Sequence, residues 1–173
     1  MSPVRLLLVR DWGTIRLPAD LRFAAPPPGE SSSLSPSNRK HASTDTRTPI
    51  SILLIEDDHA LAMMYRRRLE HAGHKVDIAA DGEAGLRQVR AQEYDLVFLD
   101  IGLPKIDGLA VLEAIRSDDA YRDLPVVMLT NYSEPDLIEK SRKLGIVEYI
   151  VKAETTPGQV ADRVSRFRDS KAD

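Results

Sequence analysis

Four runs of apolar residues in this chain each end on side chains able to do chemistry. Ile52-Leu53-Leu54-Ile55 runs into Glu56-Asp57, Leu96-Val97-Phe98-Leu99 into Asp100, Val126-Val127-Met128-Leu129 into Thr130, and Tyr149-Ile150-Val151 into Lys152. If the runs are neighbouring strands, three carboxylates converge on one crevice and repel one another unless a cation sits among them. Hard oxygen ligands of this kind select Mg²⁺ or a similar ion such as Mn²⁺. A metal, a lysine and a hydroxyl around a central carboxylate can bind the oxygens of a phosphoryl group, with Asp100 as the in-line nucleophile. The product of that chemistry is an aspartyl phosphate.

The elements that must position these residues are legible as an alternation of short apolar runs and helix-period stretches from Ile50 onward. Strands are predicted over Ile52 to Glu56, Lys75 to Ala79, Leu96 to Asp100, Val126 to Thr130 and Glu148 to Val151; three are almost wholly apolar and therefore buried on both faces. Between them, Leu61, Met64, Tyr65, Leu69 and Ala72 share one helical face ended by Gly73, and Gly108, Val111, Leu112 and Ile115 follow the i, i+3, i+4, i+7 pattern. A second helix is read over Gly82 to Gln92, and a fourth on Leu137, Ile138, Ser141 and Leu144 before Gly145. Thr156-Pro157-Gly158-Gln159 is a capping box with proline at the first helical position, opening a fifth helix on Val160, Val164 and Phe167. Five strands with right-handed helical crossovers give an α/β fold, a doubly wound parallel sheet in the order 2-1-3-4-5, with its ligand site at the strand carboxyl ends. Every strand end but the second then carries a functional side chain.

Residues 1–49 differ in kind. They hold 7 of the 11 prolines, with Pro26-Pro27-Pro28 and Ser31-Ser32-Ser33, and lack apolar periodicity, so a disordered extension is expected there and one ordered domain over 50–173. The extension carries 7 basic and 4 acidic side chains, which leaves −6 of the chain's net charge of −3 on the remainder and no patch suited to nucleic acid. No apolar run approaches the ~20 residues of a membrane span, and Leu6 to Val9 is shorter than the core of a secretory signal. The absence of cysteine excludes disulfides, thiolate metal sites and thiol nucleophiles, in keeping with a reducing cytoplasm.

The stretches ILLIEDD (52–58), DLVFLDIGLPKIDG (95–108), PVVMLT (125–130) and YIVK (149–152) resemble the response-regulator receiver family over about 120 residues. The separations 57 to 100, 100 to 130 and 130 to 152 are also similar to those of such receivers. The resemblance implies a CheY-like, flavodoxin-like fold in which Glu56 and Asp57 hold Mg²⁺ together with Asp100 and the Gly102 carbonyl. It implies that Thr130 and Lys152 bind the phosphoryl group, and that Thr130 and Tyr149 act as the switch. It further implies a histidine kinase or histidine phosphotransfer protein as donor, and a downstream protein on the face of the fourth helix, fifth strand and fifth helix. The only catalysis implied is of the chain's own phosphorylation and dephosphorylation. With the chain ending at Asp173, a single-domain regulator without a DNA-binding output domain is expected.

Ala153 departs from the family pattern, in which proline, usually in a cis peptide, follows the lysine. A cis bond without proline costs about 3 kcal/mol, so the last loop is expected to sit differently and to aim Lys152 less well. This departure supports the rival reading, a pseudo-receiver that keeps the fold and works without phosphorylation. Gly102 offers no side chain to orient water, and Tyr132, two residues after Thr130, is placed to cover the phosphoryl; together they suggest a long-lived phosphorylated state. A haloacid-dehalogenase-type hydrolase needs a second aspartate where Gly102 stands. A dinucleotide site needs glycines where Glu56-Asp57-Asp58 stand. Asp58 is read as a helix cap, the four histidines as incidental, and Arg66-Arg67-Arg68 as a solvated helix face.

Overall fold

A computed structural model of the protein describes the backbone of residues 48–171 and side chains as far as Phe167. The predicted N-terminal extension lies, but for its last two residues, outside the described residues. The elements run β1 (Ser51–Ile55), α1 (His59–His71), β2 (Lys75–Ala79), α2 (Gly82–Ala91), β3 (Leu96–Leu99), α3 (Gly108–Ser117), β4 (Val126–Thr130), α4 (Pro135–Lys143), β5 (Glu148–Val151) and α5 (Pro157–Lys171). All strand pairs are parallel and the sheet order is β2-β1-β3-β4-β5, as the alternation predicts.

The pleat of the three central strands explains why the sheet is covered on both faces. Ile52 and Leu54, Leu96 and Phe98, and Val127 and Leu129 point to one side, where they pack with Tyr65 and Leu69 of α1 and Val160 and Val164 of α5. Leu53 and Ile55, Val97 and Leu99, and Val126 and Met128 point to the other, against Val89 of α2 and Val111, Leu112 and Ile115 of α3. Each buried branched or aromatic side chain contributes about 1.5–3 kcal/mol, so the two cores together fix which strand ends lie side by side.

Helix starts are set by the carboxylates that follow the strands. Asp58, Asp81 and Asp107 accept from the backbone N–H groups of Leu61, Ala84 and Ala110 at 3.0, 2.7 and 2.9 Å, capping α1, α2 and α3. At α5 the capping box forms as read: Thr156 N donates to Gln159 Oε1 at 2.8 Å, and Gln159 N to Thr156 Oγ1 at 3.3 Å. The fourth helix is the least embedded of those whose side chains are described. Ser141 is its one buried residue, and its N-cap Glu134 makes no side-chain capping bond.

β1 and β3 end with their apolar runs, at Ile55 and Leu99, one residue short of the predicted strand bounds at Glu56 and Asp100. The ladder nevertheless continues: Glu56 N donates to Ala79 O at 2.9 Å and Asp100 N to Ile55 O at 3.1 Å, so both acidic residues leave the sheet with their backbones still held.

Candidate functional site

At the carboxyl ends of the strands, one oxygen each from Glu56, Asp57 and Asp100 lies within 4.8 Å of the other two. At that separation two carboxylates repel by at least about 3 kcal/mol at an effective dielectric of 20. Glu56 and Asp100 are buried, at 2% and 8% exposure, whereas Asp57 faces solvent. Lys152 reaches in from the end of β5. Its Nζ stands 2.6 Å from Asp100 Oδ2 and forms an ion pair with Glu56, with only 5% of its side chain exposed.

The electrostatics follow from burial and this one cation. Burial pushes the Glu56 carboxyl above its ordinary range, and contact with Lys152 only partly opposes that. Burial alone would lower the Lys152 ammonium, but the Asp100 and Glu56 carboxylates outweigh it and hold the lysine above its ordinary value. One ammonium against three carboxylates leaves two net negative charges in the crevice. The buried Glu56 Oε2 touches Lys152 Nζ yet accepts no well-directed hydrogen bond. A hard divalent cation supplies both missing elements, charge and oxygen coordination, so the residues present fit such an ion.

Two backbone features shape the mouth of the crevice. Gly102 N donates to Asp100 Oδ1 at 3.2 Å, so the two oxygens of the Asp100 carboxylate are each held, one by Gly102 and one by Lys152. Gly108 seats directly on the Asp100 carbonyl, and a Cβ there would come to 1.9 Å of that oxygen. Thr130 is fully buried at the end of β4, where it pairs with Val151, the neighbour of Lys152. Tyr149 is half-buried on β5, and its hydroxyl donates to the Tyr132 carbonyl at 3.0 Å. A Cβ on Gly102 would stand 3.2 Å from Tyr132 Cε2, so the Tyr132 ring fills the space that a side chain there would need.

The structure thus brings Glu56, Asp57, Asp100, Gly102 and Lys152 into one cluster, with Thr130, Tyr132 and Tyr149 along its β4–β5 side. Asp58 stands apart as a helix cap. Among the described residues the Glu56, Asp57 and Asp100 group is the one cluster able to hold a metal, and no histidine belongs to it.

One expectation needs correction. The Lys152–Ala153 bond is trans and opens a short 3₁₀ turn over Lys152–Glu154, yet Lys152 lies in contact with Asp100; the missing proline does not misdirect it. The reason is that Lys152 is aimed by β5 and drawn by two buried carboxylates, not by the loop that follows it. Beyond the second strand, Asp81 takes Lys105 Nζ from the β3–α3 loop at 2.7 Å. Nothing in the sequence around Asp81 pointed to Lys105 as its partner.

Fold and site together define a doubly wound α/β domain with an acidic cluster and one buried lysine at the carboxyl ends of its strands. The sequence profile of the family described as "Response regulator receiver domain" matches residues 52–164, and the chain belongs to that family. It is 39% identical over 112 residues to the transcriptional regulatory protein AfsQ1 of Streptomyces coelicolor, covering 65% of this chain and 48% of that protein. It is 37% identical over 117 residues to the transcriptional activator protein IrlR of Burkholderia pseudomallei, covering 68% and 48%. The chain spans about half the length of the curated relatives it matches. Among solved structures, a CheY-like receiver domain protein from Methanospirillum hungatei superposes with a TM-score of 0.66 at 26% identity, covering 72% of this chain and 98% of that one. A putative response regulator from Chloroflexus aurantiacus gives 0.64 at 29% identity, covering 70% and 99%. Among the described residues no helix is long and apolar enough to cross a membrane.

Proposed function

We propose that the chain is the phosphorylation-accepting receiver of a two-component pathway, with Asp100 taking a phosphoryl group from a histidine kinase or a histidine phosphotransfer protein. The observation that carries this reading is the Lys152 ammonium, buried and 2.6 Å from Asp100 Oδ2 within a three-carboxylate cluster. A structural lysine gains little from burial among acids, whereas a phosphoryl group entering this crevice needs a cation already in place.

In the transfer, an Asp100 carboxylate oxygen attacks phosphorus in line with the leaving imidazole nitrogen. The P–N bond breaks, and the donor histidine keeps its electron pair and takes up a proton. Glu56, Asp57 and Asp100, with the Gly102 carbonyl, would hold Mg²⁺ or Mn²⁺, which when bound neutralises charge on the phosphoryl oxygens. Lys152 and the Thr130 hydroxyl bind the remaining oxygens. Thr130 and Tyr149 then form the switch, because Tyr149 is tied to the loop that leaves Thr130.

Catalysis extends no further than the protein's own phosphorylation and dephosphorylation, in the cytoplasm. The signal leaves through protein contacts on the face of α4, β5 and α5; the relatives named as transcriptional regulators make a transcription pathway a fitting destination. The excess of acidic residues over 50–173 argues against direct nucleic-acid contact by this domain.

The test is incubation with Mg²⁺ and acetyl phosphate or phosphoramidate, followed by intact mass. One phosphoryl adduct is expected on the wild type and none on Asp100→Ala. No adduct from either donor, nor from a panel of phosphorylated histidine kinases, would overturn the reading in favour of a phosphorylation-independent interaction module.

A further inference from the structure

Lys105 is the one described residue other than glycine with a left-handed backbone, at φ 66°. Ile106 N donates across it to Pro104 O at 2.8 Å, which with that φ makes the turn a γ-turn of the rarer, strained form. A long side chain with a Cβ is a poor occupant of such a turn, and persistent strain beside a site is a reason to ask what holds it. Here the ammonium does: Lys105 Nζ lies 2.7 Å from Asp81 Oδ2 and 3.8 Å from Glu83 Oε2. Asp81 is itself immobilised, its other oxygen capping α2 through Ala84 N at 2.7 Å, and its side chain is only 15% exposed.

The turn belongs to the loop that presents Gly102 to Asp100. Ile101 O accepts from both Leu103 N at 2.9 Å and Gly108 N at 3.0 Å, which closes the loop on itself. Leu103 is buried, and Gly82 of α2 fits so tightly beneath Ile106 that a Cβ would come to 2.5 Å of its carbonyl. A shift of the turn at Lys105 is therefore passed to Ile101-Gly102, whose amide holds Asp100 Oδ1 at 3.2 Å.

We propose that Lys105 is a positioning residue for the carboxylate cluster: anchored on Asp81, it holds the β3–α3 loop in the strained turn that keeps Gly102 against Asp100. The proposal rests on the reading of that cluster as the divalent-cation site. The Lys105–Asp81 pair thereby makes the second strand end part of the site's support, although neither residue touches the cluster.

The experiment is Mg²⁺ titration of the full chain by calorimetry, for wild type, Lys105→Ala, Lys105→Gly, Lys105→Arg and Asp81→Asn, with a thermal melt of each in chelator. Lys105→Ala and Asp81→Asn are expected to weaken Mg²⁺ binding about threefold, the scale of one partly exposed ion pair. Lys105→Arg should bind as the wild type does. Lys105→Gly relieves the backbone strain but removes the ammonium, and should weaken binding as alanine does. The metal-free melting temperatures of Lys105→Arg and Lys105→Gly separate loss of binding from loss of fold. Equal affinity in wild type and Lys105→Ala, or wild-type affinity in Lys105→Gly, would overturn the positioning role alone. A wild-type protein that binds no Mg²⁺ would overturn the cation site itself, and this inference with it.

Discussion

Tyr149 and Tyr132 are joined across the loop that leaves β4: the Tyr149 hydroxyl donates to the Tyr132 backbone carbonyl at 3.0 Å, while the Tyr132 ring occupies the space beside Gly102. Tyr132 is 44% exposed, so its ring is a cover over the mouth of the crevice and not part of the core. Its backbone N–H faces Thr130 Oγ1 at 3.4 Å, which ties the cover to the proposed phosphoryl-binding hydroxyl.

From this arrangement, Tyr132→Ala should open the face of the aspartyl phosphate to water and speed its hydrolysis several-fold, with little effect on the melting temperature of the unphosphorylated protein. Timed loss of the phosphoryl adduct by intact mass measures it. Unchanged or slower loss would remove Tyr132 as a shield.

Lys152 is the counter-charge for two buried carboxylates, and Lys152→Met leaves both unpaired. Breaking such a pair costs on the order of 3–5 kcal/mol, so in metal-free buffer the variant should unfold at markedly lower denaturant concentration. The pH dependence has a definite sign. The folded-state value of Lys152 is raised, so the folded chain keeps this proton to higher pH than the unfolded chain. Its stabilisation is complete below the ordinary lysine value of about 10.4 and is lost as pH rises through the folded value. Wild type should lose stability in that alkaline window, and Lys152→Met should lose less; parallel alkaline melts would contradict the assignment.

Because the crevice carries excess negative charge, Mg²⁺ should stabilise the folded chain. Mass action gives about 1.4 kcal/mol at a free concentration tenfold above Kd. Melting curves with Mg²⁺ and with chelator measure the shift, and Asp57→Ala should lose most of it while melting normally in chelator, since Asp57 is exposed.

Gly108 has no room for a Cβ, because the Asp100 carbonyl oxygen would stand 1.9 Å away. Gly108→Ala must displace either α3 or the end of β3, and overpacking of this kind costs about 1–3 kcal/mol. Denaturant unfolding should show that loss, accompanied by slower phosphoryl uptake at Asp100; a variant with unchanged stability and uptake would mean that the backbone yields without disturbing the acceptor.

Much of this was legible because the physics is local. Three apolar strands buried on both faces, each followed by a helix-period stretch, leave little choice but a doubly wound sheet, and such a sheet gathers Glu56, Asp57, Asp100, Thr130 and Lys152 at one edge. Asp58, read as the cap of α1, lies three residues before the amide it binds, again a local relation. The relations that escaped depend on side chains crossing between loops. Lys105 meets Asp81 across 24 residues of chain, and its left-handed backbone cannot be read from a lysine codon position that has no glycine or asparagine to announce it. The aim of Lys152 was misjudged for the same reason. Ala153 is visible next door, whereas the buried Glu56 and Asp100 that draw the ammonium inward are 96 and 52 positions away.

The most direct measurement is to phosphorylate the chain from a histidine donor in Mg²⁺, reduce the acyl phosphate with borohydride and locate the resulting homoserine by peptide mass spectrometry. Conversion at Asp100, absent from Asp100→Asn and from chelator-treated protein, is the expected result. Conversion at Asp57 or another carboxylate, or a phosphoryl group that survives reduction on a hydroxyl or imidazole, would contradict the placement of the acceptor at the end of β3.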